Sequence, residues 1–155
     1  MPMAFLLFAP RRLARLSVVA CATWWAAHAQ AADWPAIDAA VAKGQWPLAQ
    51  TLVEQGLAEH PRDARLRLLL GVAQARTQQL AAAHDTLAQL ADAHPELSEA
   101  HNNLGIVLAL QGRWTLAVRA FERAELANPQ NAAALENLAR ARAQQALQAP
   151  KPASE

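Results

Sequence analysis

Prolines stand at residues 61, 95 and 129, one fixed interval of 34 residues apart, and the residue types between them recur at the same interval. Laid out in three rows, 30–63, 64–97 and 98–131, the chain aligns Ala49, Ala83 and Ala117; Trp46, Leu80 and Trp114; and Val53, Leu87 and Phe121. A period of this length demands like units that stack, because one such unit cannot bury its apolar face alone. Proline explains how the units stay alike. It lacks a backbone donor and drives the residue before it (His60, His94 or Asn128) out of helical geometry, so every unit stops at the same point. Within each row apolar residues return every three or four positions through two segments of about a dozen residues, the pattern of two amphipathic helices.

Composition agrees with an all-helical chain. Of 155 residues 40 are alanine, five are glycine and none is tyrosine, a balance that suits close-packed helices and serves sheets poorly. The formal net charge is +1, but Arg11, Arg12 and Arg15 fall in a segment expected to be removed. From Gln30 onward 11 basic residues face 13 acidic ones, a net charge of −2. Such a balance provides no electrostatic footprint for nucleic acid and no polybasic surface for anionic lipid. Neither partner is expected.

Residues 1–29 read as an export signal. Three arginines precede the apolar run LSVVACATWWAA (16–27), and Ala27-His28-Ala29 supplies small residues for cleavage after Ala29. An uncleaved anchor is the alternative, but the run is short of the roughly 20 residues a spanning helix needs. The VVAC stretch at 18–21 is a poor lipidation site because the apolar run continues past Cys21. Arg11-Arg12 is not followed by the apolar residues of a twin-arginine signal. With Cys21 removed the chain has no thiol, which suits an oxidising compartment, and a bacterial periplasm is the expected location.

The details of the rows support paired helices. Gly44 and Gly112 mark turns where positive φ is needed, while Gly105, Ala117 and Ala124 let two helices approach around the bulk of Trp114 and Phe121. Asp33, Asp63, Ser98 and Asn131 are placed as N-caps, and Pro47 sits in a first helical turn. In the third row His101, Leu104, Gly105, Leu108, Ala117, Phe121, Ala124 and Pro129 form a pattern that closely resembles the tetratricopeptide repeat. The usual aromatic and the common tyrosine are replaced by His101 and Leu108. The second row matches through Leu70, Gly71, Ala83, Leu87 and Pro95 but departs at Gln74 and Leu90; the first keeps Ala49, Val53, Gly56 and Pro61, with Ala36-Ile37 in place of a large-then-small pair. The resemblance implies an all-α, right-handed solenoid over residues 30–147, of three helix pairs (30–63, 64–97, 98–131) and a capping helix (131–147). The proline-rich remainder, 148–155, should stay disordered.

No glycine-rich phosphate loop, nucleophile elbow or isolated carboxylate pair occurs, so neither an enzymatic activity nor a cofactor is expected. His60, His84, His94 and His101 lack metal-ligand spacing and are read as structural or exposed, with no metal site. What the resemblance does imply is a groove lined by the first helix of each pair, in which an extended or helical peptide docks. Carried over residue by residue, that groove comprises Arg65, Leu68, Leu69, Val72 and Arg76 from the second row and Asn102, Asn103, Ile106 and Leu110 from the third. The capping helix adds Asn137 and Arg140. The lysine and asparagine set that clamps chaperone tails is present only as Asn103. The expected function is therefore a non-catalytic periplasmic adaptor holding a segment of another protein; the alternative is a structural subunit that self-associates or packs in a membrane-associated complex.

Overall fold

The computed structural model describes residues 32–148; the proposed export signal and the tail from 149 onward lie outside the described residues. Seven α-helices and no strand occur among the described residues. They are α1 (Trp34–Ala42), α2 (Trp46–Glu59), α3 (Ala64–Arg76), α4 (Leu80–Ala93), α5 (Ser98–Leu110), α6 (Trp114–Ala127) and α7 (Ala132–Gln148). Each helix packs on the next, giving the pairs α1–α2, α3–α4 and α5–α6 followed by the single α7. In addition α3 touches α5, and α5 touches α7, whereas α2, α4 and α6 do not touch one another. From α3 onward the first helices and α7 thus crowd into an inner row while the second helices spread into an outer one, and this unequal spacing makes the inner face concave.

Helix ends follow the side chains at the junctions. Asp33 accepts from the Ala36 amide at 3.1 Å, Asp63 from Leu66 at 3.0 Å and Asn131 from Ala134 at 3.1 Å, so three of the four expected caps are made. Ser98 is the exception. It is the first residue of α5 rather than its cap, and its buried hydroxyl donates to the Ala124 carbonyl at 2.8 Å while accepting from Asn131 Nδ2 at 2.9 Å. A hydroxyl removed from water needs partners, and here the nearest ones belong to the neighbouring helices. One chain of hydrogen bonds therefore ties the start of α5, the end of α6 and the start of α7 together.

Inside each pair, bulk on one helix meets a gap on the other. A Cβ on Gly105 would lie 2.6 Å from a Phe121 ring carbon, and one on Gly71 would lie 2.5 Å from Leu87 Cγ. In the first pair the same register carries Ile37 and Val53, both fully buried in one cluster with Leu66. The departure at Ile37 is thus offset by a smaller partner, and the shared volume is kept. Gln74, which stands where an apolar or aromatic residue was expected, is buried but accepts a hydrogen bond from Thr86 Oγ1 at 2.9 Å. Leu90, the other departure in that row, is fully buried with Ala91 and Ala100.

The turns inside the pairs take positive φ as expected at Gly44 (65°) and Gly112 (74°), but the middle pair uses Gln78 (64°) for the same turn. A non-glycine residue there carries a steric cost of about 1–2 kcal/mol, against which glycine loses about 0.5–1 kcal/mol of chain entropy. Gln78→Gly should therefore raise stability by up to about 1 kcal/mol, visible as a higher urea midpoint at unchanged slope. Phe121 is 2 % exposed at the centre of the largest apolar cluster. Phe121→Ala should cost about 3–5 kcal/mol and lower Tm by more than about 10 °C in a thermal melt.

Candidate binding groove

The concave face is presented by α3, α5 and α7, and its side chains divide between packing and surface. Leu68 packs on the Leu87–Val107 and Leu90–Ala100 clusters, and Leu69 on the Ile37–Val53–Leu66 cluster. Both fill the joints between pairs and are only half-buried, as is Val72. Ile106 also packs against a core cluster, the one around Phe121. Leu110, at the end of α5, is 56 % exposed.

The amides of the groove are partly committed. Asn102 is buried, and its Oδ1 accepts from Asn137 Nδ2 at 3.0 Å, a bond that links α5 to α7. Asn103 Nδ2 donates to the Glu99 carbonyl one turn earlier, at 2.9 Å. Each amide keeps donors or acceptors beyond these bonds, so the face retains hydrogen-bonding capacity.

Three arginines lie on this face in different circumstances. Arg65 meets Asp38 at 3.1 Å, and its guanidinium lies 3.9 Å from the centroid of the Trp34 ring, bridging α3 to the short α1, which α3 does not otherwise approach closely. Both partners of this ion pair are more than half exposed, so the pair is worth at most about 1 kcal/mol. Arg140 pairs with Glu136 one turn earlier on α7. Arg76 stacks over Trp46 at 5.2 Å and, among the described residues, has no acidic partner.

A cleft of about 450 Å³ opens on the same face between α5 and α7. Ile106, Ala109, Leu110 and Trp114 form its apolar wall, and Asn137, Arg140 and Gln144 its polar edge. Trp114 was expected only as packing bulk, yet it lines this cleft. A signal for that was present in the aligned rows: Trp46 and Trp114 share one register, and the residues that meet them from the next first helix are Arg76 and Gln144. Arg76 covers its tryptophan, whereas Gln144 leaves Trp114 facing the cleft.

The histidines stand apart from this face. His101 is buried and hydrogen-bonds through Nε2 to the Pro95 carbonyl at 3.1 Å, while Nδ1 has no partner. A carbonyl can only accept, so the ring proton sits on Nε2 and the side chain fills the space of the aromatic that its register usually carries. Among the described residues no cluster of three His, Cys, Asp or Glu side chains could hold a metal ion, and no helix is long and apolar enough to cross a membrane.

Comparison with known proteins places this architecture. No curated protein matches the chain by sequence. Among solved structures, the first TPR domain of human RPAP3 superposes with a TM-score of 0.68 at 17 % identity, over 72 % of this chain and 87 % of that domain. The second TPR domain of human RPAP3, in complex with an HSP70 peptide, gives a TM-score of 0.63 at 21 % identity, over 68 % and 88 %. The Sgt2 TPR domain from Aspergillus fumigatus gives 0.68 at 20 % identity, over 77 % and 82 %. At these identities the likeness is one of fold. Models of the tetratricopeptide repeat match residues 36–96 and 98–131, which hold every helix pair described above except Trp34 and Pro35 at the start of α1. The chain belongs to the tetratricopeptide repeat family.

Proposed function

We propose that this protein is a non-catalytic adaptor that holds a peptide segment of a partner protein in its concave groove. The observation that carries the reading is the α5–α7 cleft: it is apolar where a side chain would enter, polar along its edge, and built on helices fixed by the core beneath them. Those features are what peptide recognition requires, since burial provides affinity and nearby amides orient the backbone. The human RPAP3 domain in complex with an HSP70 peptide adds support, because a domain of the same fold binds a peptide there. Export to a bacterial periplasm is part of the proposal, supported by the arginines and apolar run of residues 11–27. An envelope or secretion assembly is the setting proposed for the adaptor at that location.

A photo-crosslinking residue tests the reading in the native cell. Placed at Leu110, in the cleft, it should yield a discrete adduct; placed at Leu126, which is 82 % exposed on α6 and outside the cleft, it should not. Leu110→Arg should abolish capture by a crosslinker at Gln144 while changing stability by less than about 0.5 kcal/mol, since Leu110 contributes little to the core. Adducts of equal yield from both positions would rule the groove out.

A further inference from the structure

The charges of the concave face specify more than a generic peptide. Resting on the adaptor reading, we infer that the occupant is an extended segment carrying a carboxylate about five residues from a large apolar side chain, the carboxylate held by Arg76 and the apolar group by the α5–α7 cleft.

Charge pairing singles out Arg76. Arg65 is neutralised by Asp38 and Arg140 by Glu136, but the Arg76 guanidinium has no acidic partner among the described residues. It is also pre-organised. Stacking over Trp46 restrains the side chain without using its N–H donors, so they remain available to an incoming oxyanion. Arg76 stands in the last turn of α3, where the helix's carbonyl end favours a cation.

The geometry then sets the spacing. Ala75, beside Arg76, packs on the cluster of Ala83, Leu87 and Val107, and α3 lies against α5. Leu110 is the residue of α5 in the same register as Arg76, and it opens directly into the cleft. Packed helices stand about 8–10 Å apart, and the Arg76 guanidinium over Trp46 lies two such separations from the cleft beyond α5, which an extended chain crosses in about five residues. A segment whose acid meets Arg76 therefore carries its fifth neighbour, roughly, over Leu110 and Trp114. The cleft provides no second unpaired cation there, because Arg140 is occupied by Glu136. One acid followed by one apolar anchor is the pattern this face fits.

Selection from a library of random decapeptides, panned against the purified protein and three variants, tests the assignment. Peptides retained by the native protein should be enriched in Asp or Glu about five residues from Leu, Phe or Trp. Against Arg76→Glu the acid should be replaced by Lys or Arg, and against Arg76→Gln the native winners should bind about tenfold more weakly, the loss of one charge-assisted hydrogen bond. Unchanged melting of both Arg76 variants shows that Trp46 packing survives. If the retained peptides are lost on Leu110→Arg but keep their composition against Arg76→Glu, the charge assignment is overturned and the groove stands. Peptides that survive Leu110→Arg, or an absence of retained peptides, overturn both.

Discussion

The structure depends on one contact repeated along the chain: a large side chain on the second helix of a pair set into the space left by a missing Cβ on the first. Phe121 over Gly105 and Leu87 over Gly71 bring two helix axes together so closely that an added methyl would collide with carbon at 2.5–2.6 Å. Ile37 and Val53 solve the same problem by sharing the volume differently. Because the separation within each pair is set this way, the pairs present like surfaces to one another, and stacking follows. The concave face is a consequence of that stacking, since α3, α5 and α7 meet while α2, α4 and α6 remain apart.

Polar groups do the finer fitting where the apolar pattern breaks. Gln74 occupies a core position only because Thr86 supplies a donor, and Ser98 is buried at the start of α5 only because Ala124 and Asn131 complete its hydrogen bonds. Each unpartnered group at such a site would cost about 1–3 kcal/mol, a large share of the stability of so small a stack. The same logic makes Asn102–Asn137 a structural link as well as part of the groove, because it joins the last pair to α7 where the polar edge of the cleft begins.

The groove is accordingly not one uniform surface. Toward the N-terminal end its charges are satisfied internally, Arg65 lying against Trp34 and Asp38. Leu68 and Leu69 belong to the joints between pairs. Open apolar surface concentrates between α5 and α7, where the residue facing Trp114 is Gln144 and not an arginine. A capping helix that ends the repeat thus also builds one wall of the cleft on the concave side.

Much of the fold was legible in residue order. The proline period, the spacing of alanine and glycine against aromatic and leucine, and the caps at Asp33, Asp63 and Asn131 are local or periodic properties, and physics converts them directly into helix ends and paired faces. The groove register was legible too, since residues on one face of a helix recur at fixed steps. What only tertiary structure decided was which of those groove residues remain available. Arg140–Glu136 and Asn103–Glu99 are one-turn pairs that helix spacing displays. Whether Arg65 is paired, Asn102 bonded or a tryptophan covered depends instead on the residue delivered from another helix, about thirty positions away in sequence for Arg65–Asp38 and Arg76–Trp46, and no local pattern reports it. The sequence by itself determined the repeating unit, because backbone geometry and apolar periodicity act over a few residues. The tertiary structure alone determined the open cleft and the unpaired charge, because both are differences between neighbouring units that only stacking brings together.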